Sequence, residues 1–219
     1  MMEGLMEACV FAGGDLKDSG AARQVARRCD LIIAADGGAE HAAALRLRPH
    51  AIVGDMDSID QILWQDREEV ECIVWLREKD KTDTELAVEL AFKRGCEKVT
   101  LLAAVGDRLD HTLGNVMLVA NHPGHVEILD GRATLAAIGP SKEHRMHGEV
   151  GTTVSLIPYG SLARKVKSTG LKYPLVDSDL TLGTRGISNE MCEPEASLSV
   201  DEGSLLVYIE PSKANCDNA

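Results

Sequence analysis

The run Gly54-Asp55-Met56-Asp57-Ser58 follows the short apolar stretch Ala51-Ile52-Val53 and sets two carboxylates two residues apart at the end of a buried-strand pattern. Carboxylates in such a place are costly unless something cationic meets them. In an open α/β sheet, the carboxyl ends of strands are also where ligands bind. A hard divalent ion carrying a phosphorylated substrate would meet both conditions, because Mg²⁺ is usually held by one or two carboxylates plus phosphate oxygens. The same residues would equally serve as an Asx-turn or a helix cap, with Asp57 or Ser58 starting the next helix.

Three more polar motifs follow apolar runs: Asp36-Gly37-Gly38, Asp80-Lys81-Thr82-Asp83 and Gly106-Asp107-Arg108-Leu109-Asp110-His111. A parallel sheet brings such strand ends to one edge, where the acids would form a cluster that needs a cation to stay ionised. Asp83 falls in the first helical turn after a Thr82 cap, where the helix dipole favours an anion, and that role alone would explain it. Asp80 and Lys81 would serve as an exposed ion pair of little energetic consequence. Arg108 offers a guanidinium fork for phosphate, or a local partner for its acidic neighbours. His111 reads as a cap or packed imidazole ahead of an acid–base group. Gly37 and Gly38 would let backbone amides approach a nucleotide, although Gly-Gly after a strand is also ordinary turn chemistry.

The elements that position these motifs alternate in type. Strands are expected at Ala8–Ala12 (ending at Gly13-Gly14-Asp15), Leu31–Ala35, Ala51–Val53, Cys72–Leu76 and Val99–Ala104. Helices are expected at Ser19–Arg28, Ala39–Leu47, Thr82–Arg94 and Asp110–Asn121. In the third of these, Thr82 and Glu85 have capping-box spacing and Gly95 stands where a C′ glycine belongs. Strands alternating with helices indicate βαβ units and a mainly parallel sheet. Near residue 125 helical periodicity disappears, and six of the seven prolines lie from Pro123 onward. Thr152–Ile157, Leu180–Leu182, Ser197–Val200 and Ser204–Ile209 read as β runs. The expected architecture is an α/β domain over residues 1–125 followed by an all-β sandwich domain over residues 126–219.

Composition narrows the function. The chain is 44% hydrophobic and 26% charged, close to ordinary globular usage, which argues against disorder and membrane residence. Aromatics make up only 3%, so the core must be built from Ala, Val, Leu and Ile. A formal charge of -12 argues against nucleic acid as the main partner, since phosphate backbones need clustered Lys and Arg. The six cysteines are scattered without CxxC or zinc-type spacing and read as reduced core thiols of a cytoplasmic protein. No signal-peptide pattern opens the chain and no apolar run reaches membrane-span length. P-loop, GxGxxG and GxSxG motifs are absent. His122-x-x-His125 and His144-x-x-His147 have metal-like spacing but are expected in polar surface loops.

The four motifs, in this order, resemble those of the thiamine pyrophosphokinase family. Ser168-Thr169-Gly170-Leu171-Lys172-Tyr173-Pro174-Leu175 and Gly183-Thr184-Arg185-Gly186-Ile187-Ser188-Asn189-Glu190 resemble that family's C-terminal signatures, so the likeness runs from about Ala8 to Ile209. Each motif is weak alone, and the ordered set of six is specific. The resemblance implies an N-terminal α/β domain that binds ATP and Mg²⁺, and a C-terminal β-sandwich that binds thiamine and forms a homodimer with active sites at the subunit interface. It implies transfer of the β,γ-diphosphate of ATP to the hydroxyethyl oxygen of thiamine, giving thiamine diphosphate and AMP. By resemblance, Asp55, Asp57 and Asp83 would hold Mg²⁺, with Asp80 close by. Asp36, Gly37, Gly38, Lys81, Thr82, Arg108, Asp110 and His111 would surround the nucleotide, and Ser188 and Asn189 would belong to the thiamine side. The C-terminal half has no Trp, so stacking on the thiazolium would fall to Tyr173 or an apolar wall.

Three other readings compete. A related diphosphokinase acting on a hydroxymethylpterin would use similar acidic motifs, but the Gly183–Glu190 segment favours thiamine. An aspartyl-phosphate hydrolase would use Asp55 as nucleophile and Asp57 as acid–base, leaving Asp36, Asp83 and Arg108 unexplained. A non-catalytic nucleotide or thiamine sensor would tolerate losses among the motif acids, and none is lost.

Overall fold

A computed structural model describes residues 5–55, 70–75 and 80–212, which divide into two compact units. Met56, Asp57 and Ser58 lie outside the described residues, as do Leu76 and Cys216. The first unit runs to Leu118 and takes in His125–Gly131; the second holds Val119–Gly124 and the chain from Arg132 onward.

The first unit carries six strands: β1 (Glu7–Phe11), β2 (Leu31–Ala35), β3 (Ala51–Gly54), β4 (Glu71–Val74), β5 (Lys98–Leu102) and β6 (Val126–Asp130). They lie in the order β4-β3-β2-β1-β5-β6, and every neighbouring pair is parallel. Between them run α1 (Ser19–Ala26), α2 (Gly38–Ala44) and α3 (Asp83–Lys93), with α4 (Leu109–Asn121) after β5. All five residues of β2 are buried, the continuous apolar pattern of a parallel strand covered on both faces. Cys9, Phe11, Ile32 and Leu102 from the sheet pack with Ala22 and Ala26 of α1 and Ala42 and Leu45 at α2. Small helical residues let the helices lie close to the strands, which suits a chain poor in aromatics. Asp18 caps α1 by accepting from Gly20 N and Ala21 N, each at 2.9 Å. Thr82 caps α3 by accepting from Glu85 N at 3.2 Å, and Gly95, at φ +90°, takes the left-handed position that ends it.

Strands β1 to β4 step outward on one side of β1, while β5 and β6 lie on its other side. The order reverses between β1 and β5, and a reversal of this kind opens a crevice at the carboxyl ends of the two strands.

The second unit is antiparallel. It contains β7 (Ala133–Ile138), β8 (Ser141–His147), β9 (Thr153–Thr169), β10 (Ser178–Leu180), β11 (Asn189–Glu190), β12 (Glu195–Val200) and β13 (Glu202–Glu210). Strand β9 is 17 residues long and serves two layers: Thr153–Tyr159 pairs with β13, and Lys167–Thr169 pairs with β12. β7 extends the first layer through β13, and β8 extends the second through β12. Val154, Leu156, Leu205 and Val207 from one layer meet Val166, Ala196, Leu198 and Met146 from the other in a single apolar core. The α/β arrangement followed by a β-sandwich is therefore present.

Several local expectations change. The β run expected at Thr152–Ile157 continues through Pro158, which lies opposite Leu205 on β13, to Thr169. Strands β6, β7 and β8 add to those expected. His144 and His147 stand on β8 and not in a loop; an odd spacing puts them on opposite faces, half-buried and exposed respectively, so they do not converge on a metal. The thiols are mixed: Cys9 and Cys96 are buried, Cys29 is partly buried, and Cys72 and Cys192 are exposed. No helix among the described residues is long and apolar enough to cross a membrane.

Candidate active site

A cleft of about 410 Å³ lies in the first unit at the carboxyl ends of β1, β2 and β5. That size suits a small-molecule ligand. Gly13, Gly14 and Asp15 after β1, Asp36 and Gly37 after β2, and Gly106, Asp107 and Arg108 after β5 line it, joined by Thr82, Asp83 and Thr84 and by His111, Thr112 and Asn115. Three of the four polar motifs therefore meet at the predicted sheet edge.

The floor of the cleft is made by two turns in close contact. Gly14 N donates to Ala103 O and Asp15 N to Val105 O, both at 2.7 Å. A Cβ on Gly14 would lie 2.6 Å from each of those oxygens, so the approach requires glycine. From α4, Asn115 Nδ2 donates to Ala104 O at 2.8 Å, and Gly106 N donates to Thr112 Oγ1 at 3.2 Å. Asn115 is buried, so its bond satisfies an interior carbonyl.

The acids enter from separate elements. Asp36 adopts φ +45° at the β2–α2 turn, and its N–H donates to Val53 O at 2.8 Å. This bond joins the end of β2 to the end of β3, where Gly54 packs against Asp36; Asp55 follows directly. Asp83 opens α3 under the Thr82 cap, next to the positive end of the helix dipole. Arg108 is exposed and gives two hydrogen bonds to Asp110, from Nε at 3.0 Å and from Nη2 at 2.6 Å. That bidentate bond, then the backbone amide of His111 and the charge of Arg108, hold the Asp110 carboxyl well below the usual carboxylate range. His111 is exposed and lines the cleft, so it is not a packed imidazole.

Other expected site residues lie elsewhere. Gly38 is buried against β1: a Cβ there would come within 2.0 Å of Phe11 O, so the close helix–strand approach requires glycine, and Gly38 is not among the lining residues. Lys81 does not pair with Asp80. Its ammonium is bound to Glu89 on α3, which raises its pKa, and Lys81 is not among the residues that line the cleft. Asp55, Asp80 and Asp110 are not among the lining residues. Asp57 falls outside the described residues.

In the second unit, Ser188 adopts φ +60° and donates its N–H to Ser155 Oγ at 3.0 Å. Asn189 is buried, and its amide spans the main chain of Tyr173, accepting from Tyr173 N at 3.1 Å and donating to Tyr173 O at 2.8 Å. Asn189 thus holds the backbone of Tyr173, a residue that is 65% exposed.

Sequence reasoning passed over Gly13-Gly14-Asp15, although these residues end a strand as the other motifs do. It also missed Thr112 and Asn115. Asn115 stands four residues after His111 and three after Thr112 on α4, so helical periodicity places it beside both.

Among the described residues no three His, Cys, Asp or Glu side chains converge as a ready metal set; the cleft lining offers carboxylates and hydroxyls from Asp15, Asp36, Thr82, Asp83, Thr84, Asp107 and Thr112, with a single imidazole and no thiolate. Such an oxygen-rich set fits a hard ion such as Mg²⁺ and not a thiophilic metal.

A model of the thiamin pyrophosphokinase catalytic domain matches residues 22–128, and a model of the vitamin B1 binding domain of thiamin pyrophosphokinase matches residues 141–205. Thiamine pyrophosphokinase of Bacillus subtilis (strain 168) is 29% identical over 168 residues, covering 73% of this chain and 77% of that protein. Thiamine pyrophosphokinase 1 of Oryza sativa subsp. japonica is 24% identical over 206 residues, covering 82% and 78%. Among solved structures, thiamin pyrophosphokinase from Geobacillus thermodenitrificans superposes with a TM-score of 0.84 at 26% identity, over 95% of this chain and 99% of that one. The Bacillus subtilis structure gives a TM-score of 0.82 at 24% identity, over 94% and 99%.

Proposed function

Because the chain belongs to the thiamine pyrophosphokinase family, we propose that it transfers the terminal diphosphate of ATP to the hydroxyl of thiamine, yielding thiamine diphosphate and AMP. The observation that carries this reading is the cleft at the β1/β5 reversal, where Asp36, Asp83 and Arg108 meet over glycine-rich turns. Such a site suits a polyphosphate with its counter-ion.

The attacking alcohol must approach the β-phosphorus in line with the departing AMP oxygen, so the protein's main task is positioning. Glycines at 13, 14, 37 and 106 keep the cleft floor low enough for phosphate oxygens to approach the backbone. Arg108 would exchange its Asp110 carboxylate for a phosphate with the same planar fork. Asp55, Asp57 and Asp83 would hold Mg²⁺, with Asp80 close by, and the ion when bound would offset charge on the phosphate oxygens. Asp36 and Gly37 would face the nucleotide with Thr82 and His111. In the second unit, Ser188, together with Asn189 acting through the main chain of Tyr173, would form the thiamine side. We further read the protein as a cytoplasmic homodimer with its active sites at the subunit interface. The exposed stripe Leu109, Leu113 and Met117 on α4, at helical spacing, is an apolar surface that association would cover.

A hydroxymethylpterin acceptor is the nearest rival. With Mg²⁺, ATP and equal concentrations of the two alcohols, thiamine diphosphate is the expected product. Preferential formation of a pterin diphosphate would overturn the acceptor assignment.

A further inference from the structure

His41 contacts the turn after β1 that forms part of the cleft floor. It stands on α2, is partly buried and does not itself line the cleft. Its Nε2 lies 2.7 Å from Gly14 O. A carbonyl oxygen only accepts, so Nε2 carries the proton and donates. The amide of Asp15, on the same peptide unit, donates to Val105 O at 2.7 Å. Both polar ends of the Gly14–Asp15 peptide are thereby committed to protein partners. The Gly14 oxygen, which would face phosphate oxygens acceptor against acceptor, is spent on a residue outside the cleft.

We propose that His41 is a positioning residue for nucleotide binding, holding the Gly14 carbonyl away from the phosphates and tying the turn after β1 to the helix that follows Asp36-Gly37. The proposal rests on reading the cleft as the ATP site. Without the imidazole, glycine offers no Cβ to resist rotation of the peptide, and the oxygen can turn toward the ligand. The geometry of α2 supports the link: the absence of a Cβ at Gly38 lets the start of the helix lie directly against Phe11 O, which brings α2 close to β1 and to the turn that follows it.

Three variants test this: His41→Leu, which removes the donor, His41→Gln, whose amide can present an N–H to the same oxygen, and His41→Asn, whose amide is too short to reach it. Binding of a non-hydrolysable ATP analogue with Mg²⁺ is measured by calorimetry, and kcat and KM by steady-state assay. His41→Leu and His41→Asn are expected to raise the analogue Kd and the KM for ATP about tenfold, with kcat and the KM for thiamine within about twofold. His41→Gln is expected to restore analogue binding to within about threefold of the parent, as a replaced hydrogen bond should. Unchanged analogue affinity in His41→Leu overturns the proposal, as does a His41→Gln protein that binds as weakly as His41→Leu. If His41→Leu fails to fold, the contrast between Gln and Asn carries the test, and equal affinities for those two overturn it. A parent protein that binds the analogue but makes no thiamine diphosphate would remove the reaction assignment and leave the His41 result standing.

Discussion

Asn115 donates its side-chain amide to the carbonyl oxygen of Ala104 across 2.8 Å, from a buried position on α4. The bond matters because Ala103, one residue earlier, sits at φ +51° in a region that side chains other than glycine disfavour. The chain leaving β5 must hold that conformation to present Gly106, Asp107 and Arg108 to the cleft. Asn115 and Thr112 clamp it from the helix, and the Gly14 turn clamps it from the other side.

Replacing Asn115 by Leu removes the donor and leaves a buried carbonyl without a partner, a loss of about 1–3 kcal/mol. Urea unfolding should register that loss, together with weakened ATP binding. Stability equal to the parent's would mean that the turn is held without Asn115.

Arg108 and Asp110 are both largely exposed, at 71% and 66% of their side-chain surface, so their ion pair adds little to stability. Arg108→Lys should therefore unfold at the same temperature as the parent. It should nevertheless lose about 10- to 100-fold in kcat/KM for ATP, because an ammonium cannot reproduce the bidentate fork. Unaltered kcat/KM would remove Arg108 from the phosphate site.

Burial on β8 lowers the pKa of His144 from its ordinary value of 6.5. The folded chain then binds fewer protons at this site than the unfolded chain, so the contribution of His144 to stability is full above 6.5. It is lost as the pH falls from that point toward the lowered folded value. His144→Gln should flatten this part of the pH–stability curve relative to the parent. Identical slopes between pH 7.5 and 5 in urea titrations of the two proteins would contradict the assignment.

Asp57→Asn and Asp83→Asn each take a charge from the proposed Mg²⁺ ligands. Turnover should fall by about two orders of magnitude or more in each, with the far-UV circular dichroism of the parent retained. Near-parent activity in either variant would strike that residue from the metal set.

Much of this architecture could be read in the sequence because it depends on local signals. Continuous apolar runs such as Leu31–Ala35, a Thr82 cap with Glu85 three residues on, and Gly95 as terminator each act within a few residues. Polar motifs after such runs must gather at one edge of a parallel sheet, which is why Asp36, Asp83 and Arg108 meet. Long-range pairing was harder to read. Strand β8 has the sequence Ser-Lys-Glu-His-Arg-Met-His, polar enough to pass for a loop, and only its pairing with β12 makes it a strand. Pro158 resembles a strand break, yet β9 bends and continues past it. Lys81 follows the same logic: its neighbour Asp80 was the obvious partner by sequence, but the first turns of α3 carry Glu89 to its ammonium. Asn189, which the resemblance places on the thiamine side, spends its amide on the main chain of Tyr173, a long-range contact that no local pattern announces.

The most direct measurement is the identity of the nucleotide product. Purified protein incubated with ATP, Mg²⁺ and thiamine should release AMP in a one-to-one ratio with thiamine diphosphate, resolved by chromatography or phosphorus NMR. Stoichiometric ADP with thiamine monophosphate would contradict diphosphate transfer.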